Sequence, residues 1–377
     1  MSAIRPARIA AGIALTAVAA LALSACAGAS NASSSGSTVD AATATSLSAF
    51  GSMDDLVAAA TAEGQLNVIA LPRDWANYGE IIDLFKETYP GITVNEQSPD
   101  VSSAEEIQAA STNQGLDTAP DVFDLGLAVA LQNTDVFTPY KVQTWDDIPD
   151  ALKEPTGLFV GDYGGYMSIG YDSSKFPAPA TLQDLLKPEY KSAVAINGDP
   201  TQAGAAFAAV GLATVQSDGT LDDFQPGIDF FAAMNDAGNL LQVDVTTATV
   251  ASGETPVVFD WDYLNATHVA DNPDWKVVVF PGVGYASYYN QAINKDAPHP
   301  AAARLWEEFL YSDAAQNLWL AGGARPVRME AMTADGTIDA ALAAALPEAP
   351  ADTVVPTEEQ STNAGTLLGQ EWAAAVQ

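Results

Sequence analysis

Short apolar runs and longer amphipathic segments alternate along the chain. Residues 66–71 form a largely apolar run that is typical of a buried strand, and residues 78–89 carry apolar side chains at helical spacing. Asn77, with Glu80 three residues later, predicts a reciprocal cap at the start of that helix. A second strand is predicted at residues 92–94, so this region indicates a βαβ unit.

The same alternation recurs later in the chain. Further strands are predicted at residues 120–125, 193–196 and 256–259. Repeated strand and helix patterns favour an α/β fold with mostly parallel sheets, in which ligands bind beyond the carboxyl ends of the strands. In this chain the predicted strand ends carry a set of acidic and aromatic residues: Asp74, Trp75, Asp124, Asp199, Asp260 and Trp261.

The start of the chain predicts an export signal. Arg5 and Arg8 precede an apolar run at residues 9–23, which is shorter than the roughly 20 residues of a membrane-spanning helix. The sequence LSAC, which ends at Cys26, resembles the lipobox of bacterial lipoproteins, and Cys26 is the only cysteine in the chain. We therefore expect a signal peptide at 1–25 and a lipid anchor on Cys26 that holds the protein outside the cell membrane. The alternative is a plain signal peptide that happens to contain a cysteine.

Composition divides the rest of the chain. Residues 26–50 are rich in Ala, Ser, Thr and Gly, which predicts a flexible tether. Roughly 325 residues follow, more than a single core usually holds, so two lobes are expected. The net charge of −34 argues against nucleic acid or an anionic membrane surface as a partner. Such a charge permits a cationic ligand, although an acidic surface more often serves solubility.

Several motifs together resemble extracellular solute-binding proteins of ABC importers, in the branch that holds polyamine-binding and ferric-iron-binding proteins. These motifs are LLKPEYK at 185–191, NGDP at 197–200, AAARLWEEFL at 301–310 and GGARPVR at 322–328. The resemblance implies a small-molecule solute, delivery to an ABC permease in the membrane, and a monomer. It does not identify the solute.

The resemblance also implies a periplasmic-binding-protein type II-like fold, with two α/β lobes, a hinge and an interlobe cleft. The crossing strands are expected near residues 165–171 and 287–293. Lobe 1 would begin at 51–168, lobe 2 would cover 169–286, and the chain would return to lobe 1 with C-terminal helices at 287–377.

The sequence FDWDY at 259–263 predicts one wall of the cleft. With the strand ending at Phe259 and Asp262 capping a helix that begins near Tyr263, Asp260 and Trp261 would lie on a loop at the cleft. A carboxylate beside an aromatic face suits an ammonium group, with about 0.5–2 kcal/mol from the cation–π contact. The alternative is that Trp261 only packs the edge of its lobe.

The opposite wall is predicted around Asp74, Trp75 and Tyr78. The spacing of this tryptophan and tyrosine resembles that of the polyamine binders, although both rings could instead pack the lobe edge. The chain departs from that branch at Gln202, where an acid would be expected after Asp199. The solute could therefore be a smaller amine or no amine, and a phosphonate or another small anion at the helix start near Arg73 stays open.

Tyr288 and Tyr289 raise the alternative of ferric iron. Adjacent tyrosines resemble the phenolate pair of some ferric-iron binders, and phenolates and carboxylates are suitable hard oxygen ligands. Alternation along a regular strand would send these two side chains to opposite faces, so both could bind one metal only at a kink.

An enzyme is the distant alternative. The chain has two histidines, His268 and His299, and lacks GxSxG and HExxH motifs, so nucleophilic or zinc chemistry has little support. Paired carboxylates of a secreted hydrolase stay possible, because Asp and Glu are abundant. Trp275, Trp306 and Trp319 are predicted to belong to the core.

Overall fold

The structure is a computed structural model that describes residues 40–376. The predicted signal peptide, Cys26 and the tether as far as residue 39 lie outside the described residues. In the part of the chain that is described, no helix has both the length and the apolar character to cross a membrane.

Helices and strands alternate through the described chain as the sequence pattern predicts. The α-helices are α1 (Met53–Glu63), α2 (Tyr78–Thr88), α3 (Ser103–Thr112), α4 (Leu127–Gln132), α5 (Gly204–Val215), α6 (Gln225–Asp236), α7 (Thr247–Ser252), α8 (Asp262–Thr267), α9 (Pro300–Leu310), α10 (Asp313–Ala321), α11 (Met329–Asp335), α12 (Ala340–Ala345) and α13 (Glu358–Ala375). The strands are β1 (Gln65–Ile69), β2 (Thr93–Gln97), β3 (Val122–Gly126), β4 (Phe137–Thr138), β5 (Val160–Asp172), β6 (Val194–Ile196), β7 (Val257–Trp261), β8 (Trp275–Val278), β9 (Val283–Asn294), β10 (Arg325–Pro326) and β11 (Asp352–Val354).

Two long strands, β5 and β9, run through the middle of the fold. The first half of β5 pairs with β9, from Val160 opposite Gln291 to Tyr166 opposite Ala286. The second half of β5 leaves β9 and pairs with β7 and β8. The second half of β9 pairs with β3 and β4. We call the part built on β1 to β4 lobe 1 and the part built on β6 to β8 lobe 2, and β5 and β9 connect them.

The strand directions correct the expectation of mostly parallel sheets. β1 pairs with β2 in parallel, as the βαβ pattern requires, and β6 with β7 and β9 with β11 are also parallel. Every other ladder within residues 40–376 is antiparallel, because β5 runs against each of its partners and β9 runs against β3, β4 and β5. Local strand and helix patterns indicate parallel units, but they do not reveal a strand that two lobes share.

Residues 40–50 correct the predicted extent of the tether. Ala44 and Phe50 are buried in the core, and the Arg304 guanidinium donates to the carbonyl oxygens of Ala44 (2.7 Å) and Ala42 (2.9 Å). Residues 40–50 are therefore packed against the fold although many of them are small, because the buried Arg304 of α9 donates hydrogen bonds to carbonyl groups of this segment.

The predicted cap of α2 is wrong in its details. Asn77 does hold the N-cap position, but it has a positive φ of 66° and its side chain makes no capping hydrogen bond. Its amide donates instead to Glu80 Oε2 (3.2 Å) and to the carbonyl oxygen of Leu318 (3.0 Å). Trp275, Trp306 and Trp319 are buried, as predicted.

Candidate functional site

The end of β7 brings acidic and aromatic side chains to the boundary between the lobes. All five residues of β7, Val257–Trp261, are buried, and α8 begins directly at Asp262. Asp260 and Trp261 therefore belong to the strand and not to a loop, and Asp262 is the first helical residue and not the cap. This corrects the predicted strand end at Phe259. Helix α8 starts directly after the strand, and the Asp262 carboxylate accepts the backbone N–H of Tyr263 at this first turn.

The Asp262 carboxylate is fully paired with neighbouring groups of the fold. Its Oδ1 accepts hydrogen bonds from the backbone N–H groups of Tyr166 (3.0 Å) and Tyr263 (3.1 Å), and its Oδ2 forms an ion pair with Arg325. Burial raises the pKa of Asp262, and the charge of Arg325 and these hydrogen bonds oppose the rise. We therefore assign Asp262 to the junction of β5 and α8, and not to the solute.

Asp260 is buried without a basic partner. Its Oδ2 accepts a hydrogen bond from Asn197 Nδ2 (2.9 Å), and its Oδ1 accepts one from the backbone N–H of Trp261 (2.8 Å). Burial raises the pKa of the Asp260 carboxyl to about 7, against the effect of these hydrogen bonds. In the described chain no lysine or arginine forms an ion pair with it.

Five rings meet where the two lobes and the crossing strands come together. We call this group the aromatic cluster, and its members are Trp75, Tyr163, Trp261, Tyr263 and Tyr289. Tyr163 stacks on Tyr289 with ring centroids 5.5 Å apart, and Trp261 lies parallel to Tyr263 at 6.5 Å. Trp75 meets Tyr289 (5.7 Å) and Tyr263 (6.3 Å) edge to face. Lobe 1 supplies Trp75, lobe 2 supplies Trp261 and Tyr263, and β5 and β9 supply the other two tyrosines.

Asp124 approaches the aromatic cluster from lobe 1. The indole Nε1 of Trp75 donates to the Tyr163 hydroxyl (2.7 Å), and that hydroxyl donates to Asp124 Oδ2 (3.3 Å). Negative charges on Asp124 and Asp260 both add to the effect of burial in raising the pKa of Tyr289. Asp124 therefore contacts the cluster through the Tyr163 hydroxyl, Asp260 adjoins Trp261, and the two carboxyl groups come from different lobes.

Tyr78 lies in a layer beneath the aromatic cluster. Its side chain is fully buried, and its ring meets Tyr163 (5.9 Å) and Trp319 (6.1 Å) edge to face. Its hydroxyl donates to Asp162 Oδ2 (3.3 Å) and accepts from Gln291 Nε2 (3.1 Å). These contacts favour a packing role for Tyr78 over contact with a solute.

Three other predicted site residues lie apart from the aromatic cluster. Asp74, Asp199 and Gln202 are exposed, and Asp199 Oδ1 accepts hydrogen bonds from Thr201 within its own turn. None of the hydrogen bonds recorded for residues 40–376 joins their side chains to the cluster. Trp75, Asp124, Asp260 and Trp261 lie in or beside the aromatic cluster and these three do not, and the assignment of solute contacts stays a prediction.

Tyr288 and Tyr289 point to opposite faces of β9, as strand alternation requires. Tyr289 stacks in the aromatic cluster, whereas Tyr288 lies near Tyr166 and Arg325, both of which affect its pKa. The two phenol groups therefore do not converge. Within residues 40–376, no group of three or more His, Cys, Asp or Glu side chains is placed to hold a metal ion. The geometry gives the ferric-iron alternative no paired phenolates.

Sequence reasoning missed Tyr163, Tyr263 and Asn197. The pair Gly164-Gly165 on β5 is the signal that could have located the first two. A Cβ at Gly165 would collide with the Asp262 carboxylate and the Tyr263 ring, so glycine there lets α8 approach the crossing strand closely. Asn197 gave no comparable signal, because a polar residue after a strand is common.

This architecture, with two α/β lobes, shared crossing strands and a ring-lined boundary between the lobes, defines the class of two-lobed binding proteins of the periplasmic type. Residues 118–350 match the family model described as bacterial extracellular solute-binding protein. The match spans more than half of the chain, so this chain belongs to that family. A search of curated protein sequences gave no match.

Solved structures of the same fold include three informative neighbours. An ABC transporter substrate-binding protein from Bradyrhizobium japonicum USDA 110 has a TM-score of 0.65 at 16% identity, covering 83% of this chain and 100% of that chain. A putative spermidine/putrescine ABC transporter from Listeria monocytogenes has 0.64 at 15%, and the ferric binding protein from Campylobacter jejuni has 0.62 at 16%. Each of these two covers 82% of this chain and 99% of its own. At such identities the likeness shows the fold alone.

The family and the fold confirm the coarse prediction. The protein is an extracellular solute-binding protein with a type II-like, two-lobed fold, and the solved structures that it resembles include substrate-binding components of ABC transporters. The lobe limits at residues 168 and 286 stay a prediction, and both limits fall within the crossing strands β5 and β9.

Proposed function

We propose that this protein captures a small organic cation, such as a polyamine, at the aromatic cluster and delivers it to the membrane permease of an ABC importer. One observation carries the proposal. Two buried carboxyl groups, Asp124 from lobe 1 and Asp260 from lobe 2, adjoin the aromatic cluster, and no lysine or arginine of the described residues pairs with either.

Physical chemistry favours a cation at such a place. A buried carboxylate without a partner is costly, and an ammonium group supplies the missing charge. Tryptophan and tyrosine faces attract a cation with about 0.5–2 kcal/mol, and more when water is excluded. Because the rings and acids come from both lobes, a cation bound there would favour the closed arrangement.

An anionic solute is disfavoured because Arg73 is already paired with acidic side chains. This arginine was the one basic side chain near the start of α2 that could have received a phosphonate. Its guanidinium is engaged by Asp83 (2.6 Å) and Glu96 (3.0 Å).

The neighbours agree with this proposal without deciding it. The Listeria monocytogenes neighbour is a putative spermidine/putrescine ABC transporter, and the polyamines in that name belong to the solute class proposed here. The Campylobacter jejuni ferric binding protein shares the same fold, so the choice of ligand depends on the side chains of this chain. The proposal assigns no reaction to the protein, and chemical turnover of a bound amine would contradict it.

Replacing Trp75 with alanine tests the site. Trp75 is half-buried, and we expect Trp75→Ala to weaken the binding of putrescine or spermidine by about 1–4 kcal/mol, the range for a central aromatic anchor. Trp261→Phe keeps an apolar ring on lobe 2 and should weaken binding less. Isothermal titration calorimetry measures both affinities.

Trp145→Ala is the matched control. Trp145 is also half-buried in lobe 1, but its ring receives Lys141 (5.2 Å) and Lys153 (5.3 Å) outside the aromatic cluster. We expect the control to bind the amine as the wild type does. Equal losses for Trp75→Ala and Trp145→Ala, or no loss for either, would place the solute elsewhere.

A further inference from the structure

Four buried acids continue inward from the aromatic cluster. We call them the buried acid row, and they are Glu106 on α3, Asp124 on β3, Asp162 on β5 and Glu307 on α9. Glu106 Oε2 accepts the backbone N–H of Asp124 (3.0 Å). The charge of Asp124 adds to burial in raising the pKa of Glu106, and the charge of Asp162 does the same for Asp124 and Glu307. All four residues are buried, from Asp124 at 4% exposed to Asp162 at 0%.

The row contains oxygen atoms that the rest of the described chain does not satisfy. Asp124 Oδ1, Glu106 Oε1 and Glu307 Oε1 are buried and have no hydrogen-bond partner. Buried polar atoms are normally paired, and an ionised carboxylate that is buried alone is costly. Such a group either keeps its proton or receives a cation.

The groups around Asp124 cannot supply that cation. The α2 and α3 helices present Tyr78 and Glu106, and β5 presents Asp162 and Tyr163. The charge of Asp124 also contributes to the raised pKa of three phenols, which are Tyr263 from α8, Tyr289 from β9 and Tyr311 after α9. All of these groups are acids or phenols. The charge of Arg304 lowers the pKa of Glu307, but the Arg304 guanidinium donates its hydrogen bonds to three carbonyl oxygens.

We propose that the Asp124 carboxyl holds a proton while the site is empty and releases it when the cationic end of the solute arrives. This inference rests on the proposed function, because the exchange needs a cationic solute. The step is balanced: the O–H bond of the Asp124 carboxyl breaks, the proton leaves to solvent, and the carboxylate left behind pairs with the incoming ammonium. The Tyr163 hydroxyl, which already donates to Asp124 Oδ2, holds the carboxylate in place during the exchange.

The exchange makes affinity depend on pH with a definite sign. Burial, together with the charge of Asp162, holds the pKa of Asp124 well above its usual range. Below that pKa, binding must displace a proton, so the affinity for an amine should rise by about tenfold per pH unit as pH increases. Above it, the affinity should become independent of pH.

Calorimetry with putrescine as the probe measures the exchange. Titrations in two buffers with different ionisation enthalpies give the number of protons released on binding. We expect Asp124→Asn to release about one proton fewer than the wild type, and Asp135→Asn, which replaces an exposed acid of lobe 1, to release as many as the wild type. Release from Asp124→Asn equal to that of the wild type, or binding of putrescine without proton release, would overturn the exchange.

The failure of the exchange can be told from the failure of the proposed function. If neither putrescine nor spermidine gives any heat with the wild type, the cationic solute itself is wrong, and the exchange falls with it. If an amine binds without releasing a proton, only the exchange is wrong.

Infrared spectroscopy of the ligand-free protein is an independent test. A protonated carboxyl has a carbonyl stretch that is separate from the amide bands. At neutral pH we expect such a band in the wild type, a weaker band in Asp124→Asn, and an unchanged band in Asp135→Asn, which replaces an exposed acid of lobe 1. An Asp124→Asn spectrum identical to that of the wild type would show that Asp124 is ionised when the site is empty, and would overturn the proposal.

Discussion

The two histidines of the chain lie in opposite electrostatic environments. His299 donates its backbone N–H to Asp121 Oδ1 (2.7 Å), and its ring Nδ1 lies 2.9 Å from Asp121 Oδ2. The hydrogen bond to Asp121 is the largest cause of a raised pKa for His299, and burial opposes it. His268, at the end of α8, packs against Trp275, and burial lowers its pKa.

These opposite shifts predict opposite effects of pH on stability. Because the pKa of His299 is raised in the folded state, protonation of His299 stabilises the fold fully below its unfolded pKa of about 6.5, and this contribution is lost as pH rises through the folded pKa. We therefore expect His299→Gln to destabilise the protein more at pH 6 than at pH 8. Urea unfolding at the two pH values measures the difference.

His268→Gln is the control with the opposite sign. Its folded pKa is lowered, so its stabilising contribution is present above the unfolded pKa and is lost as pH falls. The loss caused by His268→Gln should be larger at pH 8 than at pH 6. If both variants showed the same pH trend, the contact between His299 and Asp121 would not carry the effect assigned to it.

Neighbouring aspartates on FDWDY have different partners, and this difference separates structure from function. Asp262 pairs with Arg325 and two backbone N–H groups, so its charge is compensated by the fold. Asp260, two residues earlier, has only an amide and one backbone N–H. Of the two, Asp260 retains the capacity to pair with a cation that arrives from outside.

At the scale of elements, the crossing strands determine where the site lies. Because β5 leaves β9 and joins β7, the residues near its middle touch both lobes. Tyr163 and Tyr289 lie on these strands, and the rings from each lobe pack against them. The site therefore forms at the place where a change of the angle between the lobes would alter every contact.

Local patterns predicted those elements that depend on local contacts. The unit β1–α2–β2, the buried β7 and the core tryptophans of α9 and α10 all followed from the spacing of apolar residues. Strand β7 nevertheless continues through Asp260 and Trp261, because their backbones pair with Ser168 and Met167 of β5. Such partners cannot be read from a short stretch of sequence.

The approach of the two lobes was beyond prediction for a similar reason. Trp75 meets Tyr263 and Tyr289, although more than 150 residues separate the members of each pair. The family resemblance suggested that such contacts should exist. The identity of the partners depends on packing across the whole domain, which is why Tyr163 and Asn197 were missed and Asp199 and Gln202 were included.

At the scale of the whole molecule, family membership places the protein outside the cytoplasm, and the anchor is a separate proposal. We propose that Cys26 is lipidated and holds a monomeric binding protein at the membrane. We expect Cys26→Ser to release the protein into the medium, because more than one acyl chain is needed for stable anchoring and this variant would have none. Cell fractionation with an antibody measures the distribution, and a variant that stays in the membrane fraction at wild-type levels would disprove the anchor.

Thermal stability in the presence of solutes tests the central claim most directly. A solute that binds only the folded protein stabilises it by RT ln(1 + [L]/Kd), roughly 2.7 kcal/mol at a hundredfold excess over Kd. We predict that Tm rises with putrescine or spermidine and does not rise with phosphonates, sugars or ferric salts at matched ionic strength. A rise with an anion or a neutral sugar, and none with any amine, would contradict the account of the aromatic cluster and its two carboxyl groups as a site for a small organic cation.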